Sequence, residues 1–433
     1  MKDIFKKKAI DILTGERFDV MAKTYYIKHH AKNTTFPKDM YESHLRVWNG
    51  CNEITDPNKN SISDYEREYL RIDESIREIG FNKDFYIPVS NGSILNGAHR
   101  LASSLVRKVD VYCKESEPQE GQSICDSHYL KTRESHVPGG LDQVYLDAMA
   151  IEYVNYKKNT FVVTLFPGAY SNREEVRKLL KSSCKIIHEK ECYIKKYGPF
   201  NLVRLFYDLD KYRGNSWLGD WSNNYSGALS KAKKCFVNEN PVIFFLIETT
   251  GTTRCREIKE SIREKCGIGK HSVHINDTRE ETINLSRYAF NQNSIHFINN
   301  CRPVFLENFE TFFSQFGECF DKREIENICI DSSAVLSAYG LRDCRDIDFL
   351  HSPGQIFTDN PNISCHNEES KHYSETIDDI IYNPKKHFYF KGVKFASLKV
   401  VESMKINRNE EKDNRDVLLI NDIKDSEWPN AKN

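Results

Sequence analysis

Residues 328–350 read ICIDSSAVLSAYGLRDCRDIDFL, and this stretch decides how the C-terminal third of the chain is predicted to fold. The apolar ICI predicts a short buried strand, and residues 331–333 (DSS) predict a turn that opens a helix. Asp346 and Asp348 then precede an apolar pair and are predicted to lie on a second strand. Because side chains two residues apart on a strand point to one face, we expect both carboxylates to converge.

This pattern has a chemical meaning. Two carboxylates on a rigid strand supply the oxygen ligands that Mg²⁺ prefers, and Mg²⁺ bridges the phosphates of nucleoside triphosphates. The helix that begins at Ser332 and Ser333 would offer free backbone N–H groups to a leaving phosphate. We therefore expect Asp346 and Asp348 to be catalytic and to hold the metal, with Ser332 and Ser333 binding nucleotide phosphates.

The same block resembles the nucleotidyltransferase superfamily of the polymerase-β type, whose motif is Gly-Ser followed by Asp-x-Asp. Residues 394–420 (KFASLKVVESMKINRNEEKDNRDVLLI) resemble that family's later strand and helix. The resemblance implies that Lys405 contacts the nucleotide. Two features depart from the family: Ser332 stands where the motif has Gly, and the strand candidate at 387–395 (HFYFKGVKF) carries no acid.

The N-terminal block, residues 67–113, is predicted to fold in the order helix, strand, turn, strand, helix, strand. Its segment NGAHR resembles the phosphate-binding turn of the ParB/sulfiredoxin-like family. The resemblance implies that Asn96, Gly97, His99 and Arg100 bind nucleotide or phosphate. A glycine turn at a helix N-terminus with His and Arg beside it is chemically suited to this role. An alanine replaces the His or Glu that often precedes the family's His-Arg, which leaves catalysis there open.

The middle block contains two stretches, residues 161–194 and 240–290, that resemble the nucleoside diphosphate kinase family and its ferredoxin-like fold. The resemblance implies that His274 is a phosphorylated nucleophile and that Arg263 contacts phosphate. The family's phosphate-contacting Lys is absent, since residues 166–168 read FPG. A ferredoxin-like scaffold, in which His274 is an ordinary loop histidine, is the alternative.

The length of 433 residues predicts several domains. We expect an α+β or α/β protein with ParB-like, ferredoxin-like and nucleotidyltransferase-like folds in series, at 1–135, 150–304 and 305–433. The segments at 114–128 (KESEPQEGQSICDSH) and 136–141 (HVPGGL) predict a linker or exposed loops. The 13 cysteines form no CxxC pair, and there is no apolar run of membrane-spanning length and no signal peptide. These features favour reduced thiols and a cytoplasmic location.

Together the resemblances imply a transferase that uses Mg²⁺ and a nucleoside triphosphate and acts on a small alcohol, sugar or glycan intermediate. Because all three blocks depart from their families' catalytic patterns, the alternative is a nucleotide-sensing regulatory binding protein. A nucleic-acid-processing protein is a third hypothesis. A net charge of −1 and the lack of a long Lys/Arg tract argue against it. The nucleotide base, the acceptor and the oligomeric state are left open.

Overall fold

The computed structural model describes residues 3–51, 61–118, 124–211 and 216–424. Residues 119–123 of the predicted linker and 425–433 of the predicted third domain lie outside this description. The protein is a mixed α/β chain with several small sheets, as the sequence predicted at this coarse level. In the described part of the chain, no helix has the length and apolar character needed to cross a bilayer.

The helices of the described residues are numbered in chain order. They are α1 (Asp19–His29), α2 (Phe36–Asn49), α3 (Ile62–Ile79), α4 (Ala98–Arg107), α5 (Ser127–Thr132), α6 (Gln143–Tyr156), α7 (Arg173–Ser183), α8 (Gly198–Lys211), α9 (Ser226–Cys235), α10 (Thr252–Cys266), α11 (Arg279–Ala289), α12 (Gln292–Asn300), α13 (Glu307–Cys319), α14 (Lys322–Ile325), α15 (Ser332–Ala338), α16 (Ile377–Tyr382), α17 (Leu398–Arg408) and α18 (Glu411–Lys424).

The strands are numbered in the same way. They are β1 (Phe5–Lys7), β2 (Ile87–Ser90), β3 (Ser93–Ile94), β4 (Val111–Glu115), β5 (Thr160–Leu165), β6 (Lys185–Cys192), β7 (Val242–Glu248), β8 (Val273–Ile275), β9 (Ile328–Ile330), β10 (Ile347–His351), β11 (Ile363–Cys365), β12 (His387–Phe390) and β13 (Val393–Ala396).

The strands form three sheets, with the orders β1-β4-β2-β3, β6-β7-β5-β8 and β11-β10-β9-β13-β12. The chain divides into two compact units. The first comprises residues 1–160, 180–189 and 245–250, and the second comprises the remaining residues to 433. The predicted first domain lies within the first unit and the predicted third domain within the second, whereas the residues of the predicted middle domain are divided between the units.

Local sequence accounts for the elements of the N-terminal sheet. Helix α3 begins after Ser61, whose side chain accepts a hydrogen bond from the backbone of Asp64, and it ends at Gly80 with a φ of 76°. Strands β2 and β3 are joined through Asn91 and Gly92, which both have positive φ, as a tight hairpin turn requires. The predicted helix, hairpin and following helix of this block are therefore present.

The C-terminal sheet positions Asp348 and the polar residues next to it. Strand β10 runs antiparallel to β9, with Phe349 opposite Ile330, and parallel to β11, with Asp348 opposite Ser364. Residues 328–330 and 347–350 are all buried, and all of them except Asp348 are apolar, so these strands are held mainly by apolar packing. This pairing places Asp331, which follows β9, beside Asp348 on β10.

Candidate functional site

Three side chains from neighbouring strands meet in the C-terminal sheet. Asp331 directly follows β9, Asp348 is the second residue of β10, and His366 directly follows β11. Each offers one ligand atom, and these atoms lie within 4.8 Å of one another. The Nε2 atom of His366 is 3.1 Å from Oδ1 of Asp348, and the Ser364 hydroxyl donates to the same oxygen over 3.4 Å. We call Asp331, Asp348 and His366 the acidic cluster.

The backbone and one tyrosine hold Asp331 in place. Its N–H donates to the carbonyl oxygen of Asp348 over 3.0 Å, and the Tyr373 hydroxyl donates a short hydrogen bond to Oδ2. Its Oδ1 is buried and has no hydrogen-bond partner among the described residues, and the same is true of Nδ1 of His366. A buried carboxylate oxygen without a partner is costly, so Oδ1 is the atom suited to accept an added ligand.

Both carboxyl groups of the cluster resist ionisation. Burial, followed by the nearby charge of Asp331, raises the pKa of Asp348 to about 7, although His366 opposes this shift. Burial also raises the pKa of Asp331, against the lowering effects of the Tyr373 hydrogen bond and of His366. Two buried acids at this distance repel each other once both are ionised. A divalent cation would remove that repulsion, which is the electrostatic condition for a metal site.

The predicted pair Asp346 and Asp348 is divided by the strand boundary. Strand β10 begins at Ile347, so Asp346 precedes it, is half-buried, and is not a member of the cluster found among the described residues. Its charge still contributes to the raised pKa of Asp348. The sequence pattern predicts residue 331 only as part of a turn, and nothing in it indicates a role for His366. The position of Asp331 at the end of a strand near Asp-x-Asp was the available signal, whereas His366 had none.

Ser332 and Ser333 begin helix α15, as predicted. Ser332 is buried, has a φ of 53°, and lies close enough to Asp331 to lower the pKa of that carboxyl group slightly. A positive φ is the conformation that glycine adopts without strain, so the serine occupies the backbone geometry for which the resembling motif has Gly. The left-handed conformation costs a non-glycine residue on the order of 1 kcal/mol.

Lys405 lies in an ion-pair network. Its Nζ is 3.2 Å from Oδ1 of Asp413 and 2.7 Å from Oδ2 of Asp416, and all three side chains are almost fully buried. Arg408 also pairs with Asp413, and Arg342 with Asp416. The charge of Lys405 is therefore already neutralised within the fold, although it is close enough to lower the pKa of Asp331. Its contact with a nucleotide stays a prediction.

The predicted phosphate-binding turn makes internal contacts. The Nη1 atom of Arg100 donates to the carbonyl oxygens of Phe85 and Tyr86, the latter over 3.0 Å. Nε2 of His99 lies 2.9 Å from the Tyr41 hydroxyl. The side chain of the preceding Asn96 accepts a hydrogen bond from Gly97, whose φ is 87°. These contacts explain the local structure and leave phosphate binding as a prediction.

His274 lies on β8 rather than on a loop. It is 7% exposed, and its Nδ1 is 3.0 Å from the Tyr207 hydroxyl. Its Nε2 is buried and has no hydrogen-bond partner in the part of the chain described. Burial, with smaller effects from nearby cations, holds the pKa of His274 well below its usual range. Arg263 is among these cations and donates to Glu260 over 2.7 Å. Neither ring nitrogen of this neutral imidazole is presented to a phosphoryl donor.

Comparison with known proteins adds no assignment to this geometry. No family model, no curated protein and no solved structure matches the chain.

Proposed function

We propose that the acidic cluster binds a divalent cation and that the protein is a metal-dependent nucleotidyl or phosphoryl transferase. The observation that carries the proposal is the convergence of Asp331, Asp348 and His366 next to a helix that begins with Ser332 and Ser333. We further infer that the chain combines ParB-like, ferredoxin-like and nucleotidyltransferase-like folds in series and acts in the cytoplasm. The acceptor would be a small alcohol, sugar or glycan intermediate.

The donor set fits a divalent cation. The two carboxylates suit Mg²⁺ and Mn²⁺, and an imidazole suits transition metals better than Mg²⁺. We therefore expect Mn²⁺ to bind more tightly than Mg²⁺, with Mg²⁺ relying on Asp331 and Asp348. When bound, the cation would polarise a phosphoryl oxygen and offset the negative charge that develops there.

The chain's own residues would prepare this site. Tyr373 donates to Oδ2 of Asp331 and so leaves Oδ1 available as a ligand. His366 donates to Asp348 while it carries a proton on Nε2, and it must release that proton before the nitrogen can serve as a ligand. The backbone N–H groups at Ser332 and Ser333 would bind the leaving phosphates.

The test is direct. The full chain is titrated with MnCl₂ and MgCl₂ by calorimetry. It is then incubated with each common nucleoside triphosphate, with the metal, and with a panel of alcohols and sugars, and the products are identified by mass spectrometry. Cation binding together with nucleotidylated or phosphorylated products supports the proposal. Absence of cation binding at mildly alkaline pH would overturn it.

A nucleotide-sensing binding protein is the second candidate. It is favoured by the burial of His274, whose Nδ1 is 3.0 Å from the Tyr207 hydroxyl, because this histidine is the nucleophile that the resemblance to the kinase family implies. Saturable nucleotide binding without any turnover in the same incubations would favour the sensor over the transferase.

A further inference from the structure

The second unit contains a cavity separate from the acidic cluster. It lies at the C-terminal end of α15, where Ser337 and Ala338 line it, whereas Asp331 precedes the N-terminal end. A seven-residue helix is about 10 Å long. Other parts of the lining come from helices α8, α12 and α13 and from Phe390 and Lys391 at the end of β12. The cavity therefore belongs to a different part of the unit from the acidic cluster.

The charge of the lining is unbalanced. Arg204, Arg302 and Lys391 contribute three cations, and Glu310 is the one carboxylate among the described lining residues. The Nζ atom of Lys391 is 4.0 Å from Oε2 of Glu310, which is the longest distance at which the two groups still form an ion pair. The guanidinium groups of Arg204 and Arg302 form no ion pair and no hydrogen bond with any described residue; the Cys301 thiol donates to the backbone carbonyl oxygen of Arg302 and not to its side chain. Guanidinium groups stay charged at all ordinary pH values. The excess positive charge of the lining therefore favours the binding of an anionic ligand.

Aromatic rings form the other part of the lining. The guanidinium carbon of Arg204 lies 4.6 Å from the centre of the Trp221 ring and 4.3 Å from that of Tyr225. Stacking holds a guanidinium in a defined plane and leaves its N–H groups directed outward along its edge. Trp221 lines the same cavity. A planar group on a ligand could therefore stack close to the cationic side chains.

Size limits what can enter. The cavity measures about 40 Å³, and on the same measure a single water molecule needs roughly 10–15 Å³. A group of a few heavy atoms fits, whereas a whole nucleotide does not. A phosphoryl group has this size, and its two negative charges suit several cationic donors better than the single charge of a carboxylate does.

We propose that this cavity binds the phosphoryl group of a phosphate monoester whose aromatic or other planar part stacks outside it on Trp221. Arg204 and Arg302 bind the phosphoryl oxygens, and Lys391 supplies additional charge. The site is independent of the metal chemistry proposed for the acidic cluster.

The experiment uses calorimetric titration of the full chain with phenyl phosphate, inorganic phosphate and benzyl alcohol. Phenyl phosphate is expected to bind more tightly than inorganic phosphate, and benzyl alcohol is expected not to bind. Arg204→Gln and Arg302→Gln should each weaken phenyl phosphate binding by at least about tenfold, the loss expected for one charge-assisted hydrogen bond. Arg256→Gln is the matched control, because its side chain is 70% exposed and outside the cavity.

Two further readouts keep the result interpretable. Mn²⁺ binding by the Arg302→Gln variant should equal that of the unmodified protein, which separates this site from the acidic cluster and shows that the second unit is folded. If Arg204→Gln does not fold, Arg302→Gln alone decides the question. Unchanged phenyl phosphate affinity in Arg302→Gln, or no binding of either phosphate probe at millimolar concentration, would overturn the proposal.

Discussion

The imidazole Nε2 of His366 lies 3.1 Å from Oδ1 of Asp348, although the two residues come from different strands. Strand β11 runs parallel to β10, so the end of one strand brings its histidine to the carboxylate on the other. Asp331 reaches the same place from the antiparallel strand β9. The acidic cluster therefore depends on the pairing of three strands and not on the spacing of its residues in the sequence. Substitution of its members tests whether it binds a cation.

Asp331→Asn and Asp348→Asn should each weaken Mn²⁺ binding by about a hundredfold or more, because each removes a charged ligand from a three-ligand site. Calorimetric titration of the full chain measures this loss. Asp346→Asn is the control. It removes a carboxylate beside the cluster and should change the affinity much less. An equal loss in Asp346→Asn would instead support the pair predicted from the sequence.

Mn²⁺ affinity should rise with pH. The pKa of Asp348 is raised to about 7, mainly by burial, and its proton competes with the cation below that value. Each pH unit below the pKa should therefore weaken binding by up to about tenfold for one displaced proton. Thermal stabilisation by Mn²⁺ across the range of about pH 6 to 8 measures the effect. A pH-independent affinity would contradict the involvement of Asp348.

The folding stability of the metal-free protein should depend on pH in the opposite direction to the Mn²⁺ affinity. Because the folded pKa of Asp348 is above its unfolded value of about 3.9, the folded state retains a proton that the unfolded chain has lost. This carboxyl group therefore makes stability fall as pH rises from about 4 towards 7. Denaturant unfolding of Asp348→Asn, compared with the unmodified protein over that range, isolates this contribution. A difference that does not vary with pH would contradict the raised pKa.

His274 should resist modification in the folded protein, because both of its ring nitrogens face the interior. Treatment with diethyl pyrocarbonate, followed by peptide mass spectrometry, should modify the exposed His128 and leave His274 unmodified until the protein is denatured. Incubation of the folded protein with nucleoside triphosphates and metal should likewise leave His274 unmodified. An acid-labile phosphoryl group on His274 would instead support the kinase-like role implied by the resemblance.

Lys405→Met should destabilise the protein by about 3–5 kcal/mol, because it removes the buried cation that Asp413 and Asp416 share. Arg408 and Arg342, which are less buried, would be left as their partners. Chemical denaturation measures the loss.

Lys412→Met is the matched control: Lys412 is 65% exposed and pairs with Glu410, so its removal should cost less than about 1 kcal/mol. Comparable losses in the two variants would show that the buried network does not stabilise the fold.

The same network predicts an acid transition. Burial would raise the pKa of Asp413, but Arg408 and Lys405 lower it to about 2. Its stabilising contribution is therefore complete above the unfolded pKa of about 3.9 and is lost as pH falls through the folded value. Stability measured between about pH 5 and pH 2 should fall more steeply in the unmodified protein than in Asp413→Asn. Parallel curves would contradict this assignment.

Much of the local structure could be predicted from the sequence. The end of α3 at Gly80, the hairpin through Asn91 and Gly92, and the strand and helix on either side of Asp331 follow from backbone preferences that act within a few residues. The strand that carries Asp348 follows from its apolar neighbours. These features depend on neighbouring residues, so a single sequence is sufficient to find them.

The candidate site could be predicted only in part. Asp348 was found, but His366 could not be, because its approach depends on the pairing of β10 with β11, which are separated by a loop of the chain. The inward position of His274 and the pairing of Lys405 were equally inaccessible, since both depend on which distant side chains surround them. A single sequence was therefore enough for most of the local elements around these residues and for the chemical types of residue that they carry. Only the tertiary structure decided which of these residues meet, because hydrogen-bond register and burial join segments that are far apart in the chain.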